Sequence, residues 1–167
     1  MSCRLTALPS SIAPAASIPP ADAAIEEAVA ALFERNLVAD RERDLSAQSY
    51  FASRQPGEDV RGVPWILQQA GNYPADARVL DAGGGHTLRY AIERICLRPG
   101  PATAANCALA WPAAPTVTGG AAPAPPPVPV FRVTVRVDGP QNTVSHVQAM
   151  LRDMPPRYRM SWRILNE

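Results

Sequence analysis

The chain contains no lysine: all 16 basic residues are arginine. With 15 acidic residues the formal net charge is +1, a balance that gives no global pull toward nucleic acid or anionic membrane. Alanine and proline are abundant beside the arginine, so the bias is compositional and an arginine is not by itself a sign of guanidinium chemistry. No run of 18 or more apolar residues occurs, which excludes a transmembrane helix in the chain as given. The opening MSCRLTALPSSIAPAASIPP has one arginine, scattered prolines and no compact apolar centre. It makes a poor signal peptide and reads as a disordered tail over residues 1–20. Cysteine is scarce, with only Cys3, Cys96 and Cys107. There is no C-x-x-C, and His86 and His146 lie far apart in sequence, so neither metal nor cofactor is expected. A Cys96–Cys107 disulfide is the better reading; it closes a short Pro/Ala/Thr-rich loop, contributes on the order of 2 to 3 kcal/mol through the unfolded state, and implies an oxidising compartment such as a periplasm. The motifs G-x-S-x-G, H-E-x-x-H and G-x-x-x-x-G-K are all missing.

What is present suits one domain with one modest core, over residues 21–167. The segment ADAAIEEAVAALFERNLVAD predicts a helix: Ile25, Val29, Leu32 and Phe33, with Asn36 and Leu37 beyond, follow the 3.6-residue period. Asp22, Glu26 and Glu27 complement its dipole, and Pro19 and Pro20 define its start. Its stripe of Ile25, Val29 and Leu32 is expected to pack on a sheet. Residues 40–77 are broken by Pro56, Gly57, Pro64, Gly71 and Pro74. They read as a long connection anchored by Tyr50, Phe51, Trp65, Ile66, Leu67 and Tyr73. Residues 108–129 form a Pro/Ala-rich excursion that cannot donate a regular ladder and reads as an exposed spacer. In VFRVTVRVDG the residues Phe131, Val133, Val135 and Val137 alternate with Arg132, Thr134 and Arg136, the period of a half-buried antiparallel strand. DGPQN turns the chain, Val147, Ala149 and Leu151 share a face of the next strand, and RYRMSWRIL alternates again. One helix followed by antiparallel strands is an α+β plan.

Two features invite chemistry. The stretch RVLDAGGGHTLRYAIERIC has the local look of a loop for S-adenosylmethionine or a dinucleotide, centred on Asp81 to Gly85. Such a site needs a parallel sheet and an acid about 20 residues later. RPGPATAANC stands there instead, so a small cofactor-binding enzyme is the alternative and not the preferred reading. The other interpretation is a hairpin bent at Gly83, Gly84 and Gly85. Residues 88–95 fit both a strand alternation and a helical stripe, and periodicity leaves that open. The second feature is a set of arginines, Arg132, Arg136, Arg157, Arg159 and Arg163, that a sheet would gather into a basic face. A solvated strand face is the expected reading, and a DNA or surface receptor is the sharper one. Ser145 and His146 are strand neighbours on opposite faces and not a dyad, with His146 read as solvent-facing.

The order ADAAIEEAVAAL, NYPADARVLDAGGGHTLRYAIERIC, NC, FRVTVRVDGPQNTVSHVQAML and SWRIL resembles the PilX-type minor pilins of type IV pili, from about Ala21 to the C-terminus. RYAIERIC with its later NC, and the run from Phe131 to Met150, are the most specific parts. The resemblance implies a helix packed across an antiparallel sheet of about four to five strands, with residues 88–96 as a strand and Cys96 bonded to Cys107. It implies a non-enzymatic role in pilus assembly, adhesion or aggregation, with other major and minor pilins as partners, in the periplasm or the pilus fibre. Pilins of this type begin with a leader and an apolar anchoring helix. The present chain enters at what looks like the C-terminal half of that helix, so as given it is expected neither to insert in a membrane nor to polymerise.

Overall fold

The computed structural model describes residues 19–35, 37–112, 125–154 and 158–165. The tail up to residue 18, with Cys3, lies outside them, as do residues 113–124 of the Pro/Ala-rich stretch. Among the described residues the protein is mixed α+β, dominated by a seven-stranded sheet with few helices. Helix α1 spans Pro19–Val29 and α2 Trp65–Gln68. The strands are β1 Tyr50–Phe51, β2 Leu80–Gly83, β3 His86–Arg94, β4 Leu109–Ala110, β5 Val128–Asp138, β6 Val144–Arg152 and β7 Tyr158–Leu165. Among the described residues, no helix is long and apolar enough to cross a membrane.

The alternating valines of β5 make it the central strand. It pairs antiparallel with β3 on one side, from Thr87↔Asp138 to Arg94↔Phe131, and with β6 on the other, from Val130↔Arg152 to Asp138↔Val144. The full order is β1-β3-β5-β6-β7, with β2 added to β3 and β4 to β5. Seven strands replace the four or five expected, because two-residue strands carry no periodicity that a sequence can display. The sheet is also not wholly antiparallel, since β1 runs parallel to β3. Residues 88–94 are strand and not helix. The ends of the Pro/Ala-rich stretch are ordered too: Leu109 pairs with Pro129 and Ala110 with Val128.

One face of the sheet is apolar. Leu88, Tyr90 and Ile92, then Phe131, Val133, Val135 and Val137, then Val147, Ala149 and Leu151 share one buried cluster with Ala21, Ala24, Ile25, Ala28, Val29 and Leu32. Each fully buried Val, Leu or Ile here contributes roughly 1.5–3 kcal/mol. Phe33 meets Phe131 edge-on at a centroid distance of 5.7 Å, and the Arg41 guanidinium lies 5.8 Å from the Phe131 centroid. The helix does not continue as its period predicts. Ala30–Glu34 is a π-turn, closed by the Arg35 amide on the Ala30 carbonyl at 2.7 Å. Leu37, beyond that turn, is exposed, and Asn36 lies outside the described residues.

The opposite face carries Ala91, Glu93, Arg132, Thr134, Arg136, His146 and Gln148, and it is covered as well. Phe51, Val63, Ile66, Leu67, Tyr73 and Ala77 pack there with Ala91 and Leu165. Tyr73 is the firmest anchor: its hydroxyl is 2.6 Å from Ser49 Oγ and donates to the Tyr90 carbonyl at 2.8 Å. The connection read as anchored is therefore a layer of its own. Trp65, expected to be an anchor, is instead 53% exposed.

Candidate functional site

The glycine segment is a β-hairpin. Leu80 pairs with Leu88 and Asp81 with Thr87, and the register shifts before Gly83↔His86. Gly83, Gly84 and Gly85 have φ of 74°, 60° and 79°, the left-handed region where a side chain is strained. Asp81 Oδ1 accepts the Gly83 amide at 2.8 Å, so the acid serves the turn. The glycines lead into strand β3 and not into a helix, unlike the strand–glycine loop–helix order of a dinucleotide site.

Beneath residues 54–69 lies a layer of paired charges. Glu93 is fully buried. Its carboxylate accepts Arg132 Nε at 2.8 Å and the Gln55 amide at 2.8 Å, with Arg132 Nη2 at 2.7 Å. Arg132 Nη2 also reaches Glu58 at 2.6 Å, and Glu58 is bridged by Arg54 at 2.8 Å. Burial pushes the Glu93 carboxyl above its ordinary range, against the pull of Arg132. For Glu58 burial also pushes upward, but the bonds from Arg132 and Arg54 outweigh it and hold the carboxyl low. Further along β5, Arg136 donates to the carbonyls of Leu67 at 3.2 Å and Gln68 at 2.6 Å, and clamps Asp138 Oδ1 at 2.6 and 2.8 Å. Asp138 Oδ2 takes Arg89 at 2.6 Å. On β6, His146 Nε2 lies 3.1 Å from the Leu67 carbonyl, and Gln148 donates to the Gly62 carbonyl at 3.2 Å and to Thr134 Oγ1 at 3.1 Å.

This layer corrects the expectation of an open arginine face. Arg132 is 6% exposed and Arg136 8%, each matched to carboxylates, and neither presents charge to a phosphate. Arg163 is exposed, with its guanidinium on Gln148 Oε1 at 2.6 and 3.2 Å. Arg157 and the side chain of Arg159 lie outside the described residues. His146, read as solvent-facing, is 3% exposed. The period of two separates the faces of a strand but does not tell whether both are covered. Glu58 lies in none of the quoted motifs, and Glu93 and Gln148, though inside RYAIERIC and the Phe131–Met150 run, carry no pattern that marks them as buried partners; the usable signal was the apolar content of residues 51–77, which required a surface to bury against.

The disulfide forms at one end of this layer. Cys96 and Cys107 are bonded with their Cα atoms 3.9 Å apart, across an antiparallel bridge. Asn106 ties the loop shut, accepting the Arg98 amide at 3.2 Å and donating to the Arg98 carbonyl at 3.0 Å. Beside the bridge Leu97 stands 82% exposed. A groove of about 350 Å³ runs from Cys96 and Leu97 to Arg54 and Glu58. It shares Gln55, Pro56 and Gly57 with a second groove of about 370 Å³ that ends at Trp65 and Ile66. Trp65 lies over Gly57, where an added Cβ would meet the indole stem at 3.2 Å. The arrangement offers apolar contact area rimmed by charge and, among the described residues, no cluster of three or more metal-binding side chains. Comparison with family models, curated proteins and solved structures finds no match to the chain.

Proposed function

We propose that this chain is a pilin-like, non-enzymatic subunit of the minor-pilin type, acting through contacts with other pilins in the assembly, adhesion or aggregation of a type IV pilus. The observation that carries the reading is the convergence of the resemblance motifs. RYAIERIC lies in and just beyond β3, and the Phe131–Met150 run occupies β5 and β6. These strands are adjacent, they share a core with α1, and the cysteine of RYAIERIC is bonded to that of NC. That bond also supports maturation in an oxidising compartment, the periplasm or the fibre. The disulfide edge, with Leu97 beside it, is the contact surface in this reading.

The test compares two properties of one protein. In the cell that makes it, the chain is expected in the sheared surface-fibre fraction, and its deletion is expected to reduce fibre number or cell aggregation. Calorimetry with S-adenosylmethionine and with dinucleotides is expected to show no heat of binding. Binding of either, abolished by Gly84→Val, overturns the reading in favour of the cofactor alternative.

A further inference from the structure

Side-chain donors of β5 and β6 hold residues 58–69 against the polar sheet face, and two of them converge on one atom. The Leu67 carbonyl accepts Arg136 Nη1 at 3.2 Å and faces His146 Nε2 at 3.1 Å. A carbonyl only accepts, so Nε2 carries the hydrogen and a neutral imidazole suffices for this bond. The carboxylates around it are already engaged. From β5, Arg136 is neutralised by Asp138, which also takes Arg89 of β3. From the covering segment, Asp59 binds Arg61 at 2.8 Å and the amides of Arg61 and Val63. From β7, Arg163 is held on Gln148, two residues along β6 from His146. A second proton on His146 therefore adds a buried cation beside the Arg136 guanidinium, with both nearby carboxylates already committed.

We propose that His146 is a pH-operated latch: while its imidazole is neutral, residues 58–69 lie closed on the sheet, and its protonation releases them while the sheet and α1 stay folded. Burial, opposed by the bond to the Leu67 carbonyl and reinforced by Arg136 and Arg61, holds the imidazole below its ordinary value in the closed state. The proton therefore binds the open form preferentially. The latch is fully closed above the free-imidazole value of about 6.5 and weakens as the pH falls below it. Opening hydrates Glu93, Arg132, Thr134 and Gln148, which are polar enough to face water. The latch is independent of the pilin reading, because it uses only contacts within this chain.

Hydrogen exchange of the full chain at about pH 7.5 and about pH 5, corrected for intrinsic rates, is the test, with His146→Gln as the non-titrating donor to the same carbonyl. In the wild type, protection of residues 58–69 is expected to fall about tenfold at the lower pH relative to β5 and β6, and in His146→Gln it is expected not to fall. Equal protection at both pH values, loss shared equally by the sheet, or an equal fall in His146→Gln overturns the latch. If that variant does not fold, NMR titration of the wild-type imidazole decides. A midpoint below about 6.5, moving together with the amides of 58–69, supports the latch, and one at or above it overturns it.

Discussion

Removing the Arg132 guanidinium leaves the Glu93 carboxylate buried with, among the described residues, the Gln55 amide as its remaining hydrogen-bond donor. Stranding a buried charge in this way costs about 3–5 kcal/mol, whereas replacing both partners by apolar residues of similar volume is close to neutral. Urea unfolding of Arg132→Ala and of the double variant Glu93→Leu/Arg132→Met is expected to show that contrast. The pH dependence separates this account from simple loss of packing. Glu93 is pushed up by burial, so its folded state favours the protonated acid; its contribution is fully present below the unfolded pKa and lost as pH rises through the folded one. Glu58 is held low, so its contribution is present above the unfolded pKa and lost as pH falls through the folded one. Without Arg132 the first effect grows and the second weakens. The cost of Arg132→Ala is therefore expected to shrink between about pH 8 and about pH 5, and a cost that stays constant contradicts the ionised pair.

Among the elements, the hairpins and the bridge set what each segment can do. The turn at Gly83 to Gly85 is legible in sequence because three successive glycines supply positive φ, although helix or strand for residues 88–95 was not decidable from Leu88, Ala91, Ile92 and Ile95 alone. Alternation also marked β5, β6 and β7. A shift in the β6–β7 register between Met150 and Leu151 still interrupts the simple alternation assigned across residues 158–164. Helix α1 was legible up to Val29, and the π-turn after it was not, since one inserted residue per turn leaves the composition unchanged. At the disulfide, Cys96 and Cys107 close a loop that Asn106 also ties by hydrogen bonds. Reduction, or Cys96→Ser with Cys107→Ser, is expected to cost about 2–3 kcal/mol in unfolding free energy. The sheet's far-ultraviolet signal at low temperature should persist, because Phe131, Val133 and Val135 remain buried under α1.

For the whole molecule, the consequence is a sheet covered on both faces by unlike materials: an apolar helix on one, and an irregular segment over charge pairs on the other. An α+β plan was readable because one helical stripe preceded several alternating strands. The second layer was hidden, because Arg132, Arg136 and His146 look solvent-facing in any single strand and their partners Glu58, Glu93 and Leu67 come from elsewhere in the chain. Beside these covered faces, the disulfide edge with exposed Leu97 and the groove toward Trp65 offer contact area. The measurement that tests the proposed subunit role most directly is photo-crosslinking in living cells from a probe residue substituted for Leu97. Adducts with pilin subunits are predicted in the fibre fraction, and they are lost when the probe is moved to buried Val133. Abundant, folded, disulfide-bonded protein that yields no pilin adduct from Leu97 would contradict that role.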